Sequence, residues 1–208
     1  MTPIRAAEAS PAASAPTPPV LFVHVMKTGG TSVMRTLRET FPLGEIYPRA
    51  TDDLRYENGA LDIAHHLSVP YLLSLSEERT ASIRVYIGHF PYVVRELMGV
   101  PMRAATVLRE PVARTVSLLR QIKRQQPWED EPATRRPVAD LPLEEVYEHP
   151  RVFAPLIQNH QTKIFSMTPD DDPQSYMDVV DVDAARLARA RTNLEEVDVL
   201  GVMEHFDW

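Results

Sequence analysis

The segment that most constrains the fold is a short apolar run followed at once by two glycines and an amphipathic pattern. Residues 20–25 read VLFVHV, a β-branched stretch typical of a strand buried on both faces of a parallel sheet. KTGGTS follows directly, and from Val33 to Phe41 apolar residues recur at helical spacing. This order predicts a strand, a tight glycine turn and a helix.

Further strands and helices are predicted along the chain. Two more strands are predicted, IRVYIG (83–88) and AATVLRE (104–110). A helix is predicted over 92–98 after the first of them. After the second, a helix is predicted to begin at Pro111, because proline as the first helical residue loses no hydrogen bond. A last strand is predicted at 197–202. The alternation predicts a three-layer α/β fold with a central parallel sheet, which binds its ligands at the carboxyl ends of the strands.

The domain organisation follows from length and local composition. Residues 1–19 hold five prolines and almost nothing to bury, which predicts a disordered leader. Residues 20–208 are then one α/β domain, as expected for a chain of 208 residues. A short helix is predicted near 61–67, and a proline-rich surface loop over 127–142.

The composition excludes several classes of protein. The absence of cysteine excludes a disulfide framework, a thiolate metal site and a cysteine nucleophile. No apolar run is long enough for a membrane span or a secretory signal, so we expect a soluble, intracellular protein. Residues 1–124 carry 15 Lys and Arg against 11 Asp and Glu, and residues 125–208 carry 7 against 18. This charge distribution lacks the concentrated positive charge that is typical of a nucleic-acid-binding protein.

The glycine turn is the strongest candidate site. It consists of Lys27, Thr28, Gly29, Gly30, Thr31 and Ser32. Glycines let the backbone approach a ligand, and the N–H groups at the start of the following helix favour an anion. A plain turn with a helix cap would explain Thr or Ser, but not two glycines beside one of only three lysines. A nucleoside-triphosphatase loop is not present, because none of these lysines follows a glycine.

A second candidate anion site follows the strand at 104–110. Arg109 stands at its carboxyl end, and Ser117 lies two helical turns further on. An arginine fork and a serine hydroxyl could together hold a phosphate. Taken singly, each residue is better explained as a surface arginine or an ordinary helical serine.

These two motifs together resemble those of carbohydrate sulfotransferases, in particular the heparan sulfate 2-O- and 6-O-sulfotransferases and their bacterial relatives. The matching segments are FVHVMKTGGTS (22–32) and TVLREPVARTVS (106–117), with the arginine and serine eight residues apart as in that family. GHFP (88–91), NHQTK (159–163) and DVLGVMEHFD (198–207) are also similar. Met26 departs from the family's usual proline, and the end at Trp208 suggests a domain shortened at its C-terminus.

The resemblance implies a fold related to P-loop kinases and a donor, 3′-phosphoadenosine 5′-phosphosulfate. In that pattern the glycine turn would hold the 5′ side of the donor, and Arg109 and Ser117 would hold the 3′-phosphate. Lys27 would stabilise the charge on the leaving oxygen. His89, aligned with the family's Gly-His motif, would deprotonate the acceptor hydroxyl, although it could instead cap the helix after Pro91.

The expected reaction is therefore sulfuryl transfer to a carbohydrate hydroxyl, and the expected location is the cytoplasm of a bacterium. An acidic saccharide could lie against arginines such as Arg35, Arg95, Arg114 and Arg120. No metal, nucleic acid or membrane partner is expected. Three alternatives stay open: a nucleoside-triphosphate-dependent kinase of related fold, a nucleotide-binding module without catalysis, and a peptide acceptor. The sulfated position and the oligomeric state are not predicted.

Overall fold

The structure is a computed structural model that describes residues 17–48, 67–124 and 140–206, with the backbone of Tyr56–Glu57 and Ala60–Leu61. Most of the predicted leader, of the helix predicted near 61–67 and of the loop predicted over 127–142 lies outside these residues.

A helix follows each of the strands predicted near residues 20–25, 83–88 and 104–110, as the sequence predicts. The strands are β1 Val20–Val23, β2 Ile46–Tyr47, β3 Tyr56–Glu57, β4 Ala60–Leu61, β5 Val85–Tyr86, β6 Arg103–Leu108 and β7 Val199–Val202. The α-helices are α1 Gly30–Thr40, α2 Val69–Leu73, α3 Glu77–Ser82, α4 Val94–Leu97, α5 Pro111–Ile122, α6 Leu143–Glu148, α7 Pro150–Val152, α8 His160–Ser166 and α9 Ala184–Glu195. A π-helical turn at Phe153–Ile157 joins α7 to α8, and short 3-10 turns lie at Leu43–Glu45, Pro169–Asp171 and Met203–His205.

Five strands form one parallel sheet in the order β2-β5-β1-β6-β7. β1 lies at its centre, and its last residue, Val23, is in register with Thr106 of β6. Strands β3 and β4 pair separately as an antiparallel ribbon. The prediction of an α/β fold with a central parallel sheet is confirmed.

Helices cover both faces of the sheet because alternate residues of β1 enter different cores. Leu21 and Val23 pack in the same cluster as Ile164 and Phe165 of α8. Phe22 points to the opposite face, where the apolar side of α1 packs against it. The order of layers is therefore helix, sheet, helix.

The strands are shorter than predicted, and this lengthens the segments that form the site. Strand β1 ends at Val23, because the Val25 N–H turns back to the Val23 carbonyl at 3.1 Å. Only Val85–Tyr86 of the run 83–88 is in the sheet, so His89 lies in the connection to α4. β2 was not predicted, since two apolar residues carry no periodic signal.

Among the residues that the structure describes, no helix has the length and apolar character needed to cross a membrane.

Candidate active site

The turn between β1 and α1 has a left-handed backbone at two positions. Lys27 and Gly29 have φ angles of 69° and 87°, in the left-handed region that glycine enters at little cost. For Lys27 this conformation costs about 1 to 3 kcal/mol, so the surrounding contacts must hold it in place. Gly29 is the N-cap residue of α1, and the first N–H groups of that helix have no partner within the helix.

Gly30 is required by a neighbouring side chain of the protein. A Cβ atom at this position would lie 1.8 Å from Nε2 of His24. The His24 ring is itself stacked on His89, with ring centroids 4.1 Å apart, and on Phe22 at 5.8 Å. The second glycine therefore lets the histidine stack and the start of α1 approach each other, a reason that the motif alone does not reveal.

The hydroxyl side chains of the turn differ in their roles. Thr28 is fully buried, and its hydroxyl donates to the Val25 carbonyl at 2.8 Å, so it shapes the turn from inside. Thr31 is exposed and Ser32 is half-buried on the first turn of α1. Of the three side chains, Thr31 and Ser32 are the ones that face outward.

Arg109 brings the second predicted anion site to the glycine turn. It follows β6, which pairs with β1, and its Nη1 donates to the Lys27 carbonyl at 3.2 Å. Both motifs therefore meet at the carboxyl edge of the same two strands.

Two more side chains hold Arg109. The carboxamide of Gln161 on α8 accepts from the Arg109 N–H at 3.0 Å and donates to the Arg109 carbonyl at 2.8 Å. The carboxylate of Glu204 lies 3.6 Å from Nε of Arg109. The backbone of Arg109 is thus held by Gln161, and Glu204 lies within ion-pair distance of its side chain.

One face of α5 points at the glycine turn. Arg114 donates to the Met26 carbonyl at 3.4 Å, and Nζ of Lys27 donates to the Gln121 side-chain carbonyl at 2.6 Å. Ser117 lies between Arg114 and Gln121 at helical spacings of three and four residues, so it belongs to the same face. Gln121 was not predicted, although its position four residues after Ser117 could have identified it.

The region beneath the turn is rich in positive charge. Burial, followed by the charges of Arg124 and Arg109, lowers the pKa of Lys27. Burial lowers the pKa of Arg114 to about 10. Burial lowers the pKa of Lys163 to about 8, the Asp178 charge opposing this shift and the Arg114 charge adding to it. Such a field favours an anionic ligand.

The buried cations Arg114 and Lys163 also satisfy the carbonyls of the π-helical turn. Arg114 donates to the Leu156 carbonyl, and Lys163 donates to the carbonyls of Pro155 at 2.7 Å and Asp178 at 2.6 Å. Lys163 therefore joins α8 to the segment that follows Pro169–Asp171. Because Arg114 is only 2% exposed, it cannot line the acceptor groove for which the sequence made it a candidate.

The other arginines considered for that groove divide into two kinds. Arg95 donates to the Tyr92 hydroxyl and to the Met102 carbonyl, so it is engaged within the protein. Arg35 and Arg120 are exposed on α1 and α5.

His89 is oriented by contacts on several sides. Its Nδ1 lies 2.7 Å from the His24 carbonyl, and since a carbonyl only accepts, Nδ1 must carry the hydrogen. When the ring is neutral, its lone pair is therefore on Nε2. The Tyr176 ring packs against it with centroids 5.2 Å apart. Burial, then the charges of His89 and Lys27, lowers the pKa of the stacked His24 to about 3, so His24 is neutral at pH 7.

The remaining residues of the NHQTK segment have structural positions. Asn159 adopts a left-handed conformation at the start of α8, and His160 is buried with Nδ1 3.1 Å from the Pro155 carbonyl. Within the described ranges, no group of three or more acidic or histidine side chains could hold a metal ion.

Fold and geometry together define an α/β protein with a positively charged turn and an oriented histidine at the carboxyl edge of its parallel sheet. The chain matches no protein-family model, and no curated protein matches it.

Proposed function

We propose that this protein is a sulfotransferase that moves a sulfuryl group from 3′-phosphoadenosine 5′-phosphosulfate to a carbohydrate hydroxyl. The observation that carries the proposal is the 3.2 Å contact between the Arg109 guanidinium and the Lys27 carbonyl. Two motifs that are 82 residues apart in the chain meet at one edge of the sheet. A donor with two separated phosphates needs two anion sites in one pocket.

The proposed donor would lie in the site in a defined orientation. The backbone of the glycine turn and the hydroxyls of Thr31 and Ser32 would bind the 5′ side that carries the sulfonate. Arg109 and Ser117 would bind the 3′-phosphate. The buried charges of Arg114 and Lys163 add a favourable field without direct contact. In this proposal the order of strand, glycine turn and helix is that of a fold related to P-loop kinases.

The proposed chemistry is an in-line displacement. The acceptor oxygen forms a bond to sulfur while the bond from sulfur to the 5′-phosphate oxygen breaks. The acceptor proton moves to Nε2 of His89, and the electron pair of the broken bond stays on the phosphate. Lys27 and the N–H groups at the start of α1 stabilise that developing charge, and the product is adenosine 3′,5′-bisphosphate.

Calorimetric titration with adenosine 3′,5′-bisphosphate tests the proposal. We expect Arg109→Ala to weaken binding by about 1.5 to 3 kcal/mol, because one charge-assisted phosphate contact is lost. Arg120→Ala removes the same charge from an exposed position on α5 and is expected to leave the affinity unchanged.

Two results would contradict the proposed donor. One is the absence of bisphosphate binding to the wild type. The other is a melting temperature that rises with magnesium and ATP but not with the bisphosphate, which would favour phosphoryl transfer instead.

A further inference from the structure

A carboxylate of the protein itself lies against the second anion site. Glu204 is in the 3-10 turn Met203–His205 that follows β7. Its two carboxylate oxygens each lie 3.3 Å from the Glu110 N–H, and one lies 3.6 Å from Nε of Arg109. A backbone N–H just before α5 and an arginine guanidinium are the kinds of donor that a phosphate would use here.

The contacts of Glu204 are loose. Charge-assisted hydrogen bonds are usually about 2.7 to 2.9 Å long, and all three distances at Glu204 exceed that range. The Glu204 side chain is 38% exposed, so it can move into water without opening the core.

The other carboxylate nearby has a different role. Both oxygens of Glu110 accept from the start of α5, one from the Val112 N–H at 2.9 Å and the other from the Ala113 N–H at 2.6 Å. These bonds lower the pKa of Glu110 and tie it to the helix. Glu204 is therefore the carboxylate that can leave.

We propose that Glu204 determines the affinity of this site, because its tethered carboxylate occupies the position of an incoming anion and must be displaced from Arg109. A bound phosphate would make shorter bonds to the same donors, and Glu204 would turn outward. The identity of the natural anion rests on the proposed function, whereas the competition between Glu204 and an anion does not.

The substitution Glu204→Gln tests this inference. It removes the charge and keeps an oxygen that can accept from the Glu110 N–H, so the turn retains its hydrogen bond. We expect about tenfold tighter binding of adenosine 3′,5′-bisphosphate, since one repulsive carboxylate is removed from beside the phosphate. Inorganic sulfate should likewise raise the melting temperature of Glu204→Gln at a lower concentration than it needs in the wild type.

Two control variants separate a local effect from a general loss of charge. Glu195→Gln makes the same change at an exposed position on α9, and we expect wild-type behaviour with both anions. In Arg109→Ala, adding Glu204→Gln should give a smaller gain than in the wild type, because the guanidinium for which Glu204 and the anion compete is absent.

The two anions distinguish failure of this inference from failure of the proposed function. If Glu204→Gln responds more strongly to sulfate while neither protein binds the bisphosphate, the inference about Glu204 stands and the proposed donor is wrong. If Glu204→Gln binds neither anion more tightly than the wild type does, Glu204 does not compete for Arg109 and the inference is overturned.

Discussion

At the scale of single residues, the orientation of His89 is the feature most closely tied to chemistry. Nδ1 of His89 donates to the His24 carbonyl oxygen, 2.7 Å away, and the His24 and Tyr176 rings pack against the His89 ring. A side chain held in this way loses little conformational entropy when it accepts a proton at Nε2. The same His24 side chain requires glycine at position 30, so the histidine stack and the glycine turn form one unit.

We expect His89→Asn to reduce sulfuryl transfer by about 100- to 10,000-fold, the usual contribution of a general base. Adenosine 3′,5′-bisphosphate should bind with unchanged affinity, because the proposed phosphate contacts involve other residues. The measurement is transfer of radiolabelled sulfate from the donor to a desulfated heparan polysaccharide.

His149→Asn is the matched control for that experiment. His149 accepts from the Arg151 N–H at the start of α7, and asparagine can take over this capping bond. Equal transfer by His89→Asn and the wild type would mean that another group removes the proton, or that the protein binds the nucleotide without catalysis.

At the scale of secondary-structure elements, α8 holds the segment between β6 and α5 in place. The Gln161 carboxamide pairs with the N–H and the carbonyl of Arg109, as a neighbouring strand would beyond the end of β6. The helix that starts two residues later carries Ser117 and Gln121 toward the turn. The pairing thus connects the C-terminal half of the chain to the candidate phosphate site.

We expect Gln161→Leu to lower the free energy of unfolding by about 1 to 2 kcal/mol, because two backbone groups lose their partners. The same variant should bind adenosine 3′,5′-bisphosphate more weakly, since Arg109 is no longer held at the end of β6. Urea unfolding and calorimetry measure the two effects.

Gln158→Leu provides the comparison, because Gln158 is exposed just before α8. If Gln161→Leu loses stability but binds the bisphosphate as the wild type does, Gln161 supports the fold without positioning Arg109.

At the scale of the whole molecule, buried histidines link stability to acidity. Burial, with smaller contributions from nearby positive charge, lowers the pKa of His24 to about 3 and that of His160 well below its usual value. The unfolded chain protonates both side chains near pH 6.5, whereas the folded protein does not. Unfolding therefore takes up protons, and stability falls as the pH decreases below about 6.5.

We expect each of these two histidines to lower the free energy of unfolding by about 2 kcal/mol between pH 7.5 and pH 5. Urea unfolding over this range measures the slope, and most carboxylates titrate below it. In His24→Ala the slope should be about half that of the wild type. An equal slope in both proteins would mean that His24 is protonated in the folded state.

The sequence by itself determined the local elements and their class. Periodicity and backbone preference act within about ten residues of chain. They account for the strand at Val20–Val23, the glycine turn after it and the start of α5 at Pro111. These signals predict the α/β class, the central parallel sheet and the position of each candidate anion motif at the end of a strand. The two-residue strand β2 could not, since its position depends on pairing with β5.

Only the tertiary structure decided which side chains meet. Arg109 contacts Lys27 across 82 residues of chain, Gln161 contacts Arg109 across 52, and Glu204 contacts Glu110 across 94. These contacts follow from the strand order of the sheet and the packing of α5 and α8 on it, and local sequence patterns carry no record of either. The same packing buries Arg114 under the turn, whereas an arginine on a helix is usually exposed.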